Sequence, residues 1–206
     1  MRFLFIVIEG VDGSGKGTQI RLLEKVLNEM GKKVFITCEP TSGEYGVKIR
    51  KILSGEEKSD SCELAALFLA DRIYHCQNES SGIKRMLDLG YTVLCDRYYY
   101  SSFAYQGLGT SLEWVLGMNL DCPAVLKPDL TVFLDLPAAE CDRRIEEGRS
   151  SREIFEKLET IKAIRGKYLE VFERIPDHNV KIIDASGSPE TVSKRIIEAV
   201  KESIPL

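Results

Sequence analysis

The sequence predicts an α/β fold, a doubly wound sandwich in which helices cover both faces of a five-stranded parallel sheet. Two observations lead to this class. Short apolar segments alternate with helical patterns along the chain, and a glycine-rich turn and a helix directly follow the first apolar segment. With 206 residues and 44% hydrophobic composition, the chain can bury one good core, so a single domain over residues 1–206 is expected.

Five apolar segments are predicted to be the strands. They are Phe3–Ile8, Lys33–Cys38, Thr92–Cys95, Leu130–Leu136 and Val180–Ile183. In a parallel sheet of this class, ligands bind beyond the carboxyl ends of the strands. The residues that follow these strands are therefore the first candidates for chemistry.

The segments between the strands carry helix signals at their ends. Gly31 is a natural left-handed cap for the first helix, and Asp60-Ser61-Cys62-Glu63 is a capping box for the third. The predicted helices run from the glycine-rich turn to Gly31, from near Tyr45 to Gly55, from Asp60 through Ile73, and over Ile83–Leu89, Leu112–Asn119, Ala139–Glu147, Arg152–Arg174 and Glu190–Glu202.

The glycine-rich turn has the spacing of a phosphate-binding loop. It lies between the first strand and the first helix, which is the context that such a loop requires. Its glycines let backbone N–H groups surround an anion, and the helix dipole and Lys16 add positive charge. The fold is therefore predicted to be of the P-loop NTPase type. The predicted ATP contacts are Gly10, Val11, Asp12, Gly13, Ser14, Gly15, Lys16, Gly17 and Thr18.

One position departs from the loop pattern. The residue after Lys16 is Gly17, where many P-loop proteins carry the hydroxyl that ligates Mg²⁺, and the hydroxyl follows one place later at Thr18. Either Thr18 reaches the metal, or phosphates, water and a carboxylate hold it. Asp96, at the end of the third strand, is the candidate carboxylate, acting directly or through water.

Arg97 follows Asp96, and its guanidinium suits a bidentate contact to a second phosphate. Alternatively, the two residues form a simple ion pair. A phosphate loop and separate arginines at the strand ends suggest two phosphate-bearing ligands in one cleft, which favours transfer between nucleotides. A GTPase is disfavoured because the sequence contains no Asn-Lys-x-Asp motif.

Composition excludes several other functions. The net charge of −4 argues against a nucleic-acid partner, and the N-terminal apolar run is too short for a membrane span. Six scattered cysteines without a CxxC pair are interpreted as buried free thiols in a reducing cytoplasm. The two histidines, His75 and His178, lie too far apart in the sequence to support a zinc site or a histidine-based triad.

Nearly the whole chain resembles the thymidylate kinase family. The resemblance rests on the phosphate loop, Glu39-Pro40, Phe68-Leu69-Ala70-Asp71-Arg72, Asp96-Arg97-Tyr98 with Ser101 and Ala104-Tyr105-Gln106, Lys127-Pro128-Asp129 and Asp184-Ala185-Ser186. It implies transfer of the γ-phosphoryl group of ATP to dTMP with Mg²⁺, and a homodimer.

The resemblance also implies roles for individual residues. Asp12 lies near the acceptor sugar, Glu39 lies near sugar and metal, Arg50 and Arg97 hold the monophosphate, and Phe68 stacks on thymine. Arg72 and Gln106 read the base edge, Tyr105 crowds the 2′ position, Ser101 contacts the substrate and Arg144 lies along adenine. Phe68 has an alternative interpretation, since it shares a helical face with Leu64 and suits the core.

The sequence departs from the family in the loop after the second strand. Cys38 stands where many members carry arginine, and Thr41-Ser42-Gly43 replaces the usual glycine-rich run. Acceptor phosphate binding or base preference is expected to differ accordingly.

A charged segment over residues 143–153, broken by Gly148, is predicted to be a short lid. The phosphate loop lacks an arginine, so the resemblance assigns the catalytic charge to Arg149 or Arg152, which stay open as alternatives. The other interpretation is a solvated helix end.

The sequence thus predicts a cytoplasmic dTMP kinase in which Lys16, Asp12, Arg97 and the lid arginines are catalytic. The alternatives are another kinase acting on UMP, CMP or AMP, a deoxynucleoside kinase, and a catalytically silent nucleotide-binding regulator.

Overall fold

A computed structural model describes residues 3–148, 155 and 157–203. Within them lies one sheet of five parallel strands: β1 (Phe5–Glu9), β2 (Val34–Cys38), β3 (Thr92–Asp96), β4 (Leu130–Asp135) and β5 (Val180–Asp184). The spatial order is β2-β3-β1-β4-β5. All five predicted strands are confirmed, and their ends agree within two residues.

Helices surround the sheet. The described residues form α1 (Lys16–Glu29), α2 (Glu44–Leu53), α3 (Ser61–Gln77), α4 (Ile83–Asp88), α5 (Tyr99–Gly109), α6 (Leu112–Leu120), α7 (Ala138–Gly148), α8 (Leu158–Arg174) and α9 (Pro189–Ser203). Asp60 caps α3 as predicted, accepting hydrogen bonds from the N–H groups of Cys62 and Glu63.

Two helix assignments needed correction. Helix α5 was not predicted, because all of its first eight residues are buried and show no polar face from which a period could be read. Helix α8 begins at Leu158 rather than Arg152, since Phe155 lies in a turn. The intervening segment includes residues that lie outside the described part of the chain.

The central strand positions the site. All five residues of β1 are buried, and β1 pairs with β3 on one side and β4 on the other. The chain leaves β1 towards β2 and β3, then crosses to β4 and β5. The carboxyl end of β1 is therefore the switch point at which ligands bind in such sheets.

None of the helices in the described part of the chain combines the length and apolar composition that crossing a membrane requires.

Candidate active site

The phosphate loop connects β1 to α1. Gly13 adopts φ +80°, and a side chain there would collide with the carbonyl oxygen of Cys141, so only glycine fits. Gly15 precedes α1 and provides no side-chain cap, which leaves the first N–H groups of the helix free for an anion.

Lys16 lies inside the loop. Its Nζ donates to the carbonyl oxygens of Gly10, at 3.1 Å, and Val11, at 3.3 Å. Burial, together with the nearby positive charge of Arg97, lowers the pKa of Lys16. The loop therefore contains a desolvated cation, which an anionic ligand would stabilise.

A cavity of about 550 Å³ opens beside this loop; we call it the loop cavity. Its lining includes Asp12, Gly13, Gly15, Lys16, Gly17, Thr18, Arg21, Cys38, Glu39, Pro40, Arg50, Asp96, Arg97, Arg144 and Ile145. A side chain at Gly17 would meet nothing within 4 Å, so the departure at this position leaves open space.

Asp96 presents a carboxylate to the loop cavity. Its Oδ1 atom is buried and has no hydrogen-bond partner, and Thr18 lines the same cavity. An unpaired buried carboxylate oxygen is suited to a hard cation such as Mg²⁺. Among the described residues, no three His, Cys, Asp or Glu side chains cluster to hold a metal alone, so phosphates and water would supply the other ligands.

A second cavity, of about 220 Å³, lies next to the loop cavity and is called the acceptor cavity here. Nine predicted site residues line it: Asp12, Glu39, Arg50, Phe68, Arg72, Arg97, Ser101, Tyr105 and Gln106. Pro40, Leu53, Tyr98 and Phe155 also line it and were not predicted as site residues. The pattern of Leu53 and Phe155 predicts only core, so no local signal distinguished them.

Asp12 and Arg97 connect the two cavities, since both residues line each one. Nη2 of Arg97 donates to Oδ1 of Asp12 at 2.6 Å, and the hydroxyl of Tyr105 donates to Oδ2 at 3.2 Å. Burial raises the pKa of Asp12, but the charges of Arg97 and Lys16 outweigh burial, so the net shift is downward. Asp12 is therefore ionised at neutral pH.

An ion pair between Arg97 and Asp96 was one of the two interpretations of the sequence. In the structure Arg97 pairs with Asp12 instead. Arg97 has φ +67°, an unfavourable backbone conformation for any residue except glycine. Its guanidinium lies 5.0 Å from the centre of the Tyr105 ring, and its Nη1 donates to Oγ of Ser101 at 3.1 Å. These contacts aim the charge at the boundary between the cavities.

Glu39 and Arg72 form a buried ion pair. Nε and Nη2 of Arg72 donate to Oε2 of Glu39 at 2.9 and 2.6 Å, and Nδ1 of His75 lies 3.0 Å from Oε1. Arg72 is 1% exposed and also donates to Asn119 and Ser102. The carboxylate of Glu39 is thus bound by Arg72, the residue expected to contact the nucleobase edge, and by His75.

Arg50 is held by the backbone of the loop that departs from the family pattern. Its Nη1 donates to the carbonyls of Thr41 and Gly46, and its Nη2 donates to that of Pro40. Asp71 in turn accepts from the N–H and the hydroxyl of Thr41. A guanidinium has five N–H donors, so Arg50 retains donors for a phosphate.

The structure of Phe68 agrees in part with each of its two interpretations, stacking on the base and packing in the core. It is partly buried against the small cluster of Ile49, Ile52 and Leu64, and it also lines the acceptor cavity. Its ring therefore combines a packed face with access to a ligand.

The lid prediction is only partly covered by the structure. Arg144 lines the loop cavity, and its Nε donates to Glu140 at 2.9 Å. Hydrogen bonds from Arg143 and Arg144 lower the pKa of Glu140 to about 2. Arg149 and Arg152 lie outside the described residues.

The interpretation of the cysteines as buried free thiols is correct in part. Cys76, Cys95 and Cys141 are buried and free, whereas Cys38 and Cys62 are exposed and therefore contradict it. Cys122 is intermediate.

Glu9 is a residue at the site that sequence reasoning missed. It is fully buried at the end of β1 and accepts hydrogen bonds from Tyr98, Ser101 and Tyr168. Burial raises its pKa, although Arg97 and these donors act in the opposite direction. A carboxylate ending an apolar strand was the available signal.

Comparisons with known proteins agree on one family. A family model described as thymidylate kinase matches residues 8–196. A probable thymidylate kinase of Thermococcus gammatolerans is 40% identical over 212 residues, covering 98% of this chain and 97% of that protein. One from Pyrococcus horikoshii is 38% identical over 210 residues, covering 99% and 98%.

A solved structure agrees as well. Thymidylate kinase from Candida albicans superposes with a TM-score of 0.80 at 25% identity, covering 98% of this chain and 92% of that one.

Proposed function

This chain belongs to the thymidylate kinase family, with its P-loop NTPase fold, and we propose that it transfers the γ-phosphoryl group of Mg·ATP to dTMP at the boundary between its two cavities. The observation that carries this assignment is the Asp12–Arg97 pair, which lines both cavities. Direct transfer of a phosphoryl group from a donor nucleotide to an acceptor nucleotide requires two adjacent binding sites. The two cavities supply such sites.

On the donor side, the loop from Gly10 to Thr18 would bind the ATP phosphates, with Lys16 as the cation closest to the transferring group. Arg144 lines this cavity and would lie along the adenine. Asp96 and Thr18 would hold Mg²⁺, directly or through water, and the ion would neutralise phosphate charge when bound.

On the acceptor side, Phe68 would stack on the thymine while Arg72 and Gln106 read its edge. Tyr105, which lines the acceptor cavity, would crowd the 2′ position and so favour a deoxyribose. Arg97 and Arg50 would bind the monophosphate, with Ser101 beside Arg97. Glu39 would hold Arg72 in its orientation through their buried ion pair.

Positioning and charge stabilisation would supply most of the catalysis, as is usual for phosphoryl transfer. Before substrate binds, Arg97 pairs with Asp12. The acceptor phosphate would compete for this guanidinium and place its oxygen in line with the γ-phosphorus. Arg149 or Arg152 would add charge to the transferring group from the lid.

We further propose a homodimer in the cytoplasm, with residues 1–206 as one kinase domain. Trp114 and Leu120 on α6 and Tyr74 on α3, a helix that contacts α6, are exposed large hydrophobic residues available to an identical partner. The three buried free thiols agree with a reducing compartment.

The test is turnover against a panel of acceptors. The purified protein is incubated with Mg·ATP and dTMP, dUMP, UMP, CMP, AMP or thymidine, and the ADP formed is measured. We expect the highest turnover with dTMP. Lys16→Ala should remove most of this activity, while Lys25→Ala, at an exposed position of the same helix, should not. That difference would exclude a contaminating kinase as the source of the ADP.

Each alternative predicts a different result. The highest turnover with a ribonucleotide would indicate another nucleoside monophosphate kinase, and the highest with thymidine a nucleoside kinase. ATP binding without turnover of any acceptor would indicate a silent regulator. The family match and the names of the relatives do not favour these alternatives.

A further inference from the structure

The buried carboxylate of Glu9 joins the phosphate loop to the segment that carries Arg97. Oε1 accepts from the backbone N–H groups of Tyr98, at 2.8 Å, and Ser101, at 3.1 Å. Oε2 accepts from the hydroxyls of Ser101, at 2.7 Å, and Tyr168, at 2.8 Å. Four donors therefore converge on one carboxylate and compensate for its burial.

These bonds form the N-terminal cap of α5. Tyr98 occupies the N-cap position of that helix and makes no side-chain capping bond. Glu9 accepts from the N-cap residue and from Ser101, the third residue of the helix, which are the two donors that a capping box satisfies. The cap comes from a strand about ninety residues earlier in the chain.

The same bonds hold both sides of Arg97. Its own N–H donates to the carbonyl of Ile8 at 3.0 Å, and the N–H of the next residue, Tyr98, donates to Glu9. Arg97 has φ +67°, a conformation that persists only when surrounding bonds hold it. Ser101 adds a second connection, because its hydroxyl donates to Glu9 and accepts from Arg97.

On the basis of the proposed function, we infer that Glu9 is a positioning residue for phosphoryl transfer: by capping α5 it holds Arg97 at the place where its guanidinium meets Asp12 and the acceptor phosphate. Among the described residues, Glu9 lines neither cavity, so it acts through Arg97 rather than on a ligand.

Two substitutions separate geometry from charge. Glu9→Asp keeps the charge but shortens the side chain by one methylene, so the carboxylate cannot reach both N–H groups. Glu9→Gln keeps the length, its oxygen can accept both N–H bonds, and the two hydroxyls can turn to accept from its amide. Positioning therefore predicts that Glu9→Asp is the more damaging change.

We expect Glu9→Asp to raise the KM for dTMP roughly tenfold or more and to lower kcat, with the KM for ATP within about threefold of the parent. Glu9→Gln should keep the KM for dTMP within about threefold. In an Arg97→Ala background the effect of Glu9→Asp should largely disappear, because the residue through which it acts is gone. Val200→Ala, a buried change in α9, controls for lost stability alone.

Four results would overturn the inference: unchanged kinetics in Glu9→Asp, a larger loss in Glu9→Gln, additive effects with Arg97→Ala, or a Glu9→Asp chain that does not fold. The last would show a residue required for the fold as a whole. An inactive parent enzyme would instead contradict the proposed function. Calorimetric titration with dTMP then tests the positioning of Arg97 without turnover.

Discussion

Nη2 of Arg97 lies 2.6 Å from Oδ1 of Asp12, which joins the residue after the third strand to the phosphate loop. The two residues are 85 positions apart in the chain. Both residues line both cavities, so the pair is accessible to both ligands of a transfer reaction. Its role can be tested from either partner.

Arg97→Lys should weaken dTMP binding and slow turnover strongly, because lysine keeps the charge but loses the planar fork that holds Asp12 and Ser101 together. Steady-state kinetics with dTMP as the varied substrate measure this. The matched control is Arg174→Lys, whose arginine pairs with Glu113 on the surface. If the Arg97→Lys enzyme has the same kinetics as the parent, Arg97 serves only as the ion-pair partner of Asp12 and does not bind the acceptor phosphate.

Asp12→Asn should lower stability at neutral pH, and the difference from the parent should shrink in acid. The folded-state pKa of Asp12 is depressed, so its contribution is fully present above the ordinary aspartate pKa and declines progressively as the pH falls from there through the depressed folded-state pKa. A partly exposed pair contributes on the order of 1 kcal/mol, or about 2–4 °C in Tm for a chain of this size. Thermal melts of both proteins from neutral pH to pH about 3 measure the difference. A difference in Tm between the two proteins that stays constant across that pH range would contradict the lowered pKa of Asp12.

Phe68→Ala should raise the KM for dTMP by an amount corresponding to roughly 1–3 kcal/mol of lost stacking, with little change for ATP. Leu64→Ala, one turn earlier on the same helix, is the control, since Leu64 packs in the same cluster but does not line the acceptor cavity. It should lower Tm and leave KM unchanged. If both variants only lose stability, Phe68 is a core residue.

Asp96→Asn should raise the Mg²⁺ concentration needed for half-maximal activity by roughly tenfold or more, because the unpaired oxygen loses its charge. Magnesium titrations at saturating nucleotide test it. Asp135→Asn is the control, since Asp135 also ends a strand but pairs with Arg165 and lines neither cavity. Equal magnesium requirements in the parent, Asp96→Asn and Asp135→Asn would show that Asp96 does not bind the metal.

The lid arginines are tested by Arg149→Ala, Arg152→Ala and the double variant at saturating ATP and dTMP. Arginines that act on the transferring group contribute roughly 10³–10⁵ in rate, so at least one variant should lose about two orders of magnitude in kcat. Arg143→Ala is the control, because Arg143 pairs with Glu140 and Glu147 of its own helix. If the kcat of the double variant stays within a few-fold of the parent value, the segment over residues 143–153 is a solvated turn and not a catalytic lid.

Local pattern was enough to predict the sheet and the phosphate loop. Strands, caps and glycine turns depend on residues a few positions apart, so their signals survive in the sequence. The family motifs then placed Phe68, Arg72, Arg97 and Tyr105 in one site, and the structure brings these four together around one cavity.

Other features depend on contacts between distant parts of the chain. Helix α5 has no visible period because the sheet and its neighbours bury it on nearly all sides. Glu9 meets Tyr168 across 159 residues, and Arg72 meets Glu39 across 33. A buried charge must find partners wherever packing places them, and the sequence records the charge but not the place. Only the folded chain, with its burial and its hydrogen-bond directions, specifies which carboxylate holds which arginine.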